Sequence, residues 1–364
     1  MSAGTQARSL APNAIWLTQA GPQSDVVVAS RCRIARNLAG YPFPWRAGEL
    51  HRKAAAERVL DSLQRAGGEL GAATRIAGQI GAEHLLQLLE RQHVSLDWAH
   101  GSSHRWVAII PSGSASILIN EEDHLRIQVI LPGVQVESVI EEAERIEHAI
   151  GRHLKYARDP EIGYLTASIA NAGSGLRISL LMHLAGLEAE DRLEHELRAA
   201  VETGCSVRGL YGEGTQGTGG LFQVSSICHY NSRMRPTASR IVAAAAYLAD
   251  AERWARKRIW GTVSGRRKLV QSVEAALAAL FNEEADPKRL LPIVSLLRVA
   301  AAERVLTEGL EATAEWIALA GVAAVQEIGS AETRFEAVRR TAALRQRLRG
   351  AARGFGTFER GLHG

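Results

Sequence analysis

Apolar positions in the first two thirds of the chain follow two different periods, which predicts a mixture of strands and helices. Residues 26–30 are rich in valine and predict a strand that continues to Arg33. Because strand side chains alternate between faces, Arg31 and Arg33 should share one face. Residues 106–110, 115–119 and 125–131 predict three more strands, and the turn at 111–114 indicates an antiparallel meander.

Apolar residues three and four positions apart predict amphipathic helices around these strands. The predicted helices cover residues 48–65, 82–90, 134–156 and 187–203, with a glycine-rich connection at 67–81. Residues 164–169 predict a strand that leads through the glycine-rich segment 171–175 into a helix at about 176–184. Such a turn would leave helix N–H groups available to an anion. Residues 206–208 and 221–229 predict the last strands, on either side of a glycine-rich loop.

The composition changes beyond Arg235 to alanine, leucine, arginine and glutamate at helical spacing. We therefore predict an α+β fold, in which an antiparallel sheet flanked by helices is followed by an all-helical C-terminal domain. A chain of 364 residues is long enough for two hydrophobic cores. The predicted division is an N-terminal arm at 1–24, a catalytic domain at 25–255 and a helical domain at 256–364.

Charge and cysteine content bear on whether the protein binds nucleic acid, binds zinc or carries disulfides. A net charge of +4, from 43 basic and 39 acidic residues, is weak support for nucleic-acid binding. Cys32, Cys205 and Cys228 are widely spaced without a CxxC pair, which argues against a disulfide framework or a zinc site and fits a reducing cytoplasm. The longest apolar stretches, 241–248 and 316–325, are shorter than the roughly 18 residues of a membrane span. We expect a cytoplasmic protein without membrane contact.

Four short blocks carry the candidate chemistry. The segment Asn-Glu-Glu-Asp-His at 120–124 sets three acidic groups before a strand that carries Arg126. By itself this is typical of a charged turn. The other blocks are Ala-Ser-Arg-Cys-Arg-Ile-Ala-Arg-Asn at 29–37, the segments 163–166 and 171–177 with Arg177, and 207–214 with Arg208 and Glu213. Their arginines lie on predicted strands and glycine-rich loops, where several cations can surround one anion.

In order and spacing these blocks resemble the four signature blocks of the ATP:guanido phosphotransferases, and most of all the McsB-type bacterial protein arginine kinases. The resemblance extends over about residues 21–348. It implies phosphoryl transfer from ATP, with Mg²⁺, to arginine side chains of proteins. A guanidinium is a poor nucleophile because it is permanently protonated, so carboxylates must orient it and accept a proton.

The resemblance also implies roles for individual residues. Glu122 matches the catalytic base, Glu121 is a weaker candidate for positioning substrate or metal, and Glu213 matches a second guanidinium-binding carboxylate. Ser168 stands near the guanidinium where the family usually has cysteine, so it can hydrogen-bond but supplies no thiolate. The residues that match the family's ATP-binding positions are Ser30, Arg31, Arg33, His93, Arg126, Arg177 and Arg208. We expect the five arginines to point into one cleft opposite Glu122 and Glu213.

Other features of the resemblance concern regulation and partners. The family's phosphoarginine-sensing motif is not retained at 336–341, so control through that site is in doubt. The family implies a stress-response protease and a transcriptional repressor as partners, and a homodimer. Only residues 1–24 precede the first predicted strand, where kinases of free guanidines carry a helical domain; we expect an open site that suits protein-borne arginine.

Alternative functions stay open at this point. The chain could be an adaptor that binds nucleotide or phosphoarginine with little or no turnover, or a kinase of a free guanidino compound. The arginines at 339–353 could contact nucleic acid, although a charge run on a helix is usually a solvated face. The sequence has neither a GxxxxGK[ST] loop nor the paired motifs of the protein-kinase fold.

Overall fold

The computed structural model describes residues 11–99, 101, 103–209, 218–227, 234–282, 287–306, 308–324 and 342–348. The strands within these ranges are β1 Val27–Arg36, β2 Thr74–Ala77, β3 Trp106–Ile109, β4 Ala115–Ile119, β5 Leu125–Pro132, β6 Arg158–Asp159, β7 Gly163–Tyr164, β8 Leu176–His183, β9 Cys205–Gly209 and β10 Leu221–Ser226. The helices before residue 325 are α1 Ile15–Thr18, α2 Glu49–Ala66, α3 Gly68–Gly71, α4 Ala82–Glu90, α5 Leu96–Ala99, α6 Val136–Gly151, α7 Ala185–Ala189, α8 Leu193–Glu202, α9 Met234–Trp260, α10 Val263–Asn282, α11 Pro287–Ala302 and α12 Leu310–Ala324.

Strand β1 lies near the middle of an eight-stranded sheet with the order β2-β3-β4-β5-β1-β8-β10-β9. Every neighbouring pair in it is antiparallel. Strands β6 and β7 form a separate two-stranded ribbon. The predicted meander is the β3-β4-β5 part of the sheet, and the predicted α+β class is confirmed.

Two hydrophobic cores lie on opposite faces of this sheet. The first contains Cys32 and Ile178 from the strands and is covered by α2, α6 and α9. The second contains Ala29, Ile130 and Leu181 and is covered by α1 and by α10 to α12. Because alternate residues of a strand face opposite sides, the same strands supply both cores.

The helix predicted at about 176–184 is wrong, because this segment is strand β8. Its side chains are buried almost without interruption. Ile178 and Leu180 belong to the first core, whereas Leu181 belongs to the second. A strand buried on both faces reads as a continuous apolar run, which periodicity cannot distinguish from a buried helix. The anion site expected at that helix N-terminus is therefore absent.

Three further segments differ from the prediction. The strand predicted at 164–169 is reduced to β7, and a single 3₁₀ turn follows at Ile169–Asn171. The helix predicted at 187–203 is two helices, α7 and α8, with Asp191 between them at φ 57°. The glycine-rich connection 67–81 contains both α3 and the edge strand β2.

Helix α9 joins the sheet to the C-terminal helices. It contributes Ile241, Leu248 and Ala255 to the first core. It also runs through the predicted boundary between residues 255 and 256, and the domain division itself stays a prediction. Within the part of the chain that the structure describes, no helix is both long enough and apolar enough to cross a membrane.

Candidate active site

One face of the sheet brings together the arginines of the sequence blocks. Arg33 on β1 is paired with Arg177 on β8 and with Gln128 on β5. Arg31 lies two residues before Arg33, and Arg126 two residues before Gln128, so each shares its neighbour's face. On β10, Gln223 is paired with both Leu181 of β8 and Arg208 of β9, which extends the same face to Arg208. All five arginines therefore project from one side of the sheet.

This face is polar at one end and apolar at the other. Along β8, Arg177 and Ser179 are followed by Leu181, which belongs to the core under α10 to α12. Along β1, which runs in the opposite direction, Ala29 of that core precedes Arg31 and Arg33. The helices thus cover the apolar end and leave the arginine end uncovered by that core.

The arginines on this face repel one another. Burial, with Arg126 and Arg177 as neighbouring cations, lowers the pKa of Arg31 to about 9. Burial and the charges of Arg31, Arg126 and Arg177 likewise place the pKa of Arg33 well below its ordinary value, while Glu121 opposes this. A cation that is desolvated and surrounded by like charge is stabilised by a bound anion.

Polar side chains hold Arg31 in place. Its Nη2 donates to Gln223 Oε1 at 2.6 Å, its Nε to Ser179 Oγ at 3.2 Å, and its Nη1 reaches Gln92 Oε1 at 3.5 Å. The Nε atom of Arg33, by contrast, is buried and has no hydrogen-bond partner. Two amides and a hydroxyl orient the Arg31 guanidinium without neutralising it, so its charge remains available to a ligand.

The acidic turn, residues 120–124, joins β4 to β5 at the arginine end of the sheet. Asn120 begins it at φ 55°, and its Nδ2 donates to the carbonyl oxygens of Arg52 at 2.7 Å and His104 at 2.9 Å. The turn closes where Asn120 N–H donates to the His124 carbonyl oxygen at 3.2 Å. Two other segments and one internal hydrogen bond therefore hold the turn in place.

The two glutamates of the acidic turn differ in environment. Glu121 is buried and accepts hydrogen bonds from Ser95 Oγ and Arg126 Nη1. Burial raises the pKa of Glu121, but Arg126 and Ser95 outweigh it and the net pKa is lowered. Glu122 is exposed. Partial burial and the charge of Asp123 raise the pKa of Glu122. Glu121 is thus the counter-ion of Arg126, and Glu122 is the more basic carboxylate, open to solvent.

Asp123, which has no predicted role, connects the acidic turn to the loop that carries Ser168. Its Oδ1 accepts from Asn37 Nδ2 at 2.5 Å and from Ala167 N–H at 2.7 Å. Asn37 also donates to the Leu165 carbonyl oxygen at 3.2 Å, and its Oδ1 accepts from His124 N–H at 3.0 Å. Ser168, half-buried and next to Ala167, therefore lies beside the acidic turn. In the sequence, Asn37 at the end of the first block was the residue that could have indicated this connection.

Two of the predicted site residues lie elsewhere. Ser30 faces the opposite side of the sheet, where its Oγ donates to the Gly133 carbonyl oxygen at 2.6 Å and accepts from Gln135 N–H at 2.8 Å. His93 is buried with its Nε2 3.4 Å from the Pro12 carbonyl oxygen, and burial lowers its pKa to about 4. Its neighbour Gln92 is the residue that reaches the arginines. Glu213 lies outside the described residues.

A pocket of about 190 Å³ opens beside the last two strands, and its walls include Arg177 and Arg208. Asn171 and Ser206 add polar groups to the same walls. Among the described residues no group of three or more histidine, cysteine, aspartate or glutamate side chains is placed to hold a metal ion. The pocket is therefore suited to an anionic ligand.

Comparison with known proteins finds similarity to a single family. The family profile for the ATP:guanido phosphotransferase C-terminal catalytic domain matches residues 56–231. The "Protein-arginine kinase" of Pelotomaculum thermopropionicum is 34% identical over 263 residues, which cover 70% of this chain and 72% of that protein. The "Protein-arginine kinase" of Moorella thermoacetica is 33% identical over 82% of this chain and 86% of its own length.

Solved structures support the fold. A crystal structure of lombricine kinase superposes with a TM-score of 0.56 at 21% identity, over 68% of this chain and 72% of that one. The duplicated taurocyamine kinase from Schistosoma mansoni, with bound components of a transition-state analogue, gives 0.57 at 22% identity over 66% of this chain and 36% of its own. At these identities the likeness concerns the fold alone.

Proposed function

Because this chain belongs to the ATP:guanido phosphotransferase family, we propose that it transfers the γ-phosphoryl group of ATP to arginine side chains of proteins. The observation that carries this proposal is the sheet face from which five arginines project, with Arg126 among them bonded to Glu121 of the acidic turn. The "Protein-arginine kinase" relatives favour protein-borne arginine as the acceptor.

The arginine end of the sheet has the charge that a nucleoside triphosphate requires. Phosphoryl transfer depends mainly on positioning and on neutralising charge on the phosphate oxygens. Arg31 and Arg33 have pKa values depressed by burial and by their cationic neighbours, so a polyphosphate would relieve their repulsion. Mg²⁺ would come with the nucleotide, since this ion is usually held through substrate phosphates and few carboxylates, and it would withdraw charge from the phosphates.

The acidic turn would receive the acceptor guanidinium. Glu122 orients the guanidinium by hydrogen bonding and accepts the proton that its nitrogen loses as the N–P bond forms. The bond between the γ-phosphorus and the β,γ-bridging oxygen breaks at the same time, and ADP leaves with the electron pair. Glu121 holds Arg126 in place, and Ser168 lies within reach of the acceptor. A role for Glu213 rests on the family resemblance.

The test is incubation of the protein with radiolabelled ATP, Mg²⁺ and an arginine-rich protein. We expect phosphate on the protein in an acid-labile form, as a phosphorus–nitrogen bond requires. Labelling of free arginine without any protein label would contradict the proposal. ATP binding without product in a single turnover would indicate the non-catalytic adaptor instead.

Glu122→Gln provides the residue-level test of the same proposal. The amide cannot accept the proton, so kcat should fall by at least about 10²-fold while nucleotide affinity is kept. Glu141→Gln is the matched control, because Glu141 is an exposed glutamate on α6, on the opposite face of the sheet. A Glu122→Gln enzyme with wild-type turnover would remove this residue from the role of base.

Partners beyond the substrate rest on the family resemblance. A stress-response protease, a transcriptional repressor and a homodimer stay predictions for this chain. The segment 336–341, where the sensing motif is not retained, lies outside the described residues.

A further inference from the structure

Arg36, the last residue of β1, belongs to the first sequence block but does not share the face of the other arginines. Arg31 and Arg33 project from one side of the sheet, and strand alternation places Arg36 on the opposite side. Arg36 is 5% exposed, and its Nε donates to Glu147 Oε1 of α6 at 2.9 Å. A carboxylate therefore neutralises this arginine, which lies away from the surface that would bind phosphate.

The guanidinium of Arg36 contacts both ends of the loop that connects β7 to β8, residues 165–175. Its Nη1 donates to the Ser174 carbonyl oxygen at 3.0 Å, near the end of the loop. Its central carbon lies 3.5 Å from the centre of the Tyr164 ring, immediately before the loop. A cation over an aromatic ring is attracted by the ring electrons, and more strongly where water is excluded. One buried side chain thus holds the two ends of the loop together.

Backbone contacts close the loop at the same place. Tyr164 N–H donates to the Gly173 carbonyl oxygen at 2.8 Å, and Gly173 N–H donates back to the Tyr164 carbonyl oxygen at 3.0 Å. Gly175 has a φ of 64°, and a Cβ there would lie 2.5 Å from Arg36 Nη1 and 2.6 Å from the Ala35 carbonyl oxygen. Glycine at this position therefore leaves the space that the Arg36 guanidinium occupies.

The 165–175 loop contains residues from both halves of the candidate site. Ser168 follows Ala167, whose N–H donates to Asp123 of the acidic turn at 2.7 Å. Asn171 lines the pocket beside the last two strands of the sheet. Only two residues lie between Ser168 and Asn171, so a displacement of the ends of the loop would move both.

We infer that Arg36 is a positioning residue, which fixes the 165–175 loop so that the acceptor and the nucleotide are aligned for transfer. The inference rests on the proposed function and adds a residue that acts through the loop. Alignment of reacting groups is sensitive to small shifts, since a displacement of about 1 Å can cost roughly 10²-fold in rate. A loosened loop should slow transfer more than it weakens ATP binding, because the five arginines of the opposite face lie on strands.

The test is Arg36→Lys, assayed with MgATP and an arginine-rich protein. Lysine keeps a positive charge beside Glu147, but its ammonium group is a point charge that cannot bond Ser174 and stack on Tyr164 at once. We expect kcat to fall by about 10- to 100-fold while the Kd for MgATP, from calorimetry, stays within about threefold of wild type. Arg145→Lys is the matched control, because Arg145 is an exposed arginine on α6, and it should change neither quantity.

Tyr164→Leu tests the same contact without a change to the buried ion pair. Leucine lacks the ring face over which the Arg36 guanidinium lies. We expect a smaller fall in kcat than for Arg36→Lys, again with the Kd for MgATP retained. The losses in the double variant should not add, because both changes break one contact. If Arg36→Lys does not fold, Tyr164→Leu provides the measurement.

Three results would overturn the inference. Wild-type kcat in the folded variants would show that this contact has no part in transfer. A raised Kd for MgATP at unchanged kcat would make Arg36 part of nucleotide binding instead. Additive losses in the double variant would show that Arg36 and Tyr164 act separately. Each of these results leaves the proposed function intact, whereas a wild type that labels no protein would defeat the proposed function itself.

Discussion

At the scale of single residues, Arg33 lowers the stability of the ligand-free protein but favours the binding of an anion. It is half-buried beside three other arginines, and its Nε has no hydrogen-bond partner. Charge repulsion of this kind destabilises the ligand-free protein, whereas the same charge stabilises a bound polyphosphate. Binding sites commonly carry such a conflict between stability and function.

Arg33→Gln should therefore separate the two effects. Removing the charge should raise the Kd for MgATP by at least about tenfold, since hydrogen bonds to charged groups contribute roughly 1.5–3 kcal/mol. The melting temperature of the ligand-free protein should rise by about a few degrees, because repulsion is relieved. Calorimetry and thermal unfolding measure both, and Arg58→Gln on the exposed side of α2 is the control. An unaltered Kd would exclude Arg33 from the nucleotide site.

The residues of the site were largely predictable from sequence where local rules decide the outcome. Strand alternation predicted that Arg31 and Arg33 share a face, and the structure confirms this. His93 and Gln92 show the limit of such rules. Which of two neighbours reaches the arginines depends on the φ of 55° at Gln92 and on packing against the distant Pro12. No local pattern encodes that choice.

At the scale of elements, the fold was predictable for an amphipathic helix and for short apolar runs bounded by turn residues. Helix α6 buries one face, and the strands of the meander β3-β4-β5 are separated by the turns at 111–114 and 120–124, so their predicted positions are correct to within a few residues. The helix predicted in place of strand β8 was wrong, because β8 lies between β1 and β10 with both faces buried and so has no alternation of apolar and polar residues. The strand predicted at 164–169 was mostly wrong, because the loop after β7 is hydrogen-bonded to Asn37 and Asp123, two side chains that are distant in sequence.

Asn37 joins three of these elements, and its loss should affect the acidic turn more than the arginines. Asn37→Ala removes hydrogen bonds to Asp123, Leu165 and His124. Buried groups left without partners cost about 1–3 kcal/mol each, so urea unfolding should show a loss of roughly 2–4 kcal/mol. In folded enzyme the single-turnover rate should fall while nucleotide affinity is retained. A normal rate in a destabilised protein would mean that this link has no part in catalysis.

At the scale of the whole molecule, buried polar groups join the sheet to the C-terminal helices. His183 at the end of β8 hydrogen-bonds through Nε2 to Ser295 of α11 at 2.8 Å. Burial, with the charges of Arg298 and Arg256, places the pKa of His183 well below its ordinary value. Arg298 is itself buried and donates to the Ser24 carbonyl oxygen and to Thr313. The histidine is therefore neutral in the folded protein.

This network predicts how stability depends on pH. The pKa of His183 is lower in the folded than in the unfolded protein, so its contribution is complete above about pH 6.5 and is lost as pH falls below that value. Stability should decline by up to about 1.4 kcal/mol per pH unit for this group. His183→Gln should make the decline between pH 7 and pH 5 shallower in urea unfolding. An identical slope in the variant would show that His183 takes up no proton on unfolding.

The position of α10 to α12 on the sheet also limits where the chain can be truncated. These helices cover Val28, Ile130 and Leu181 directly, whereas α9 covers the other side. A chain that ended after α9 would expose this apolar face of the sheet to solvent, and we expect it to aggregate. Truncation after α9 is therefore not expected to yield a stable, isolated sheet.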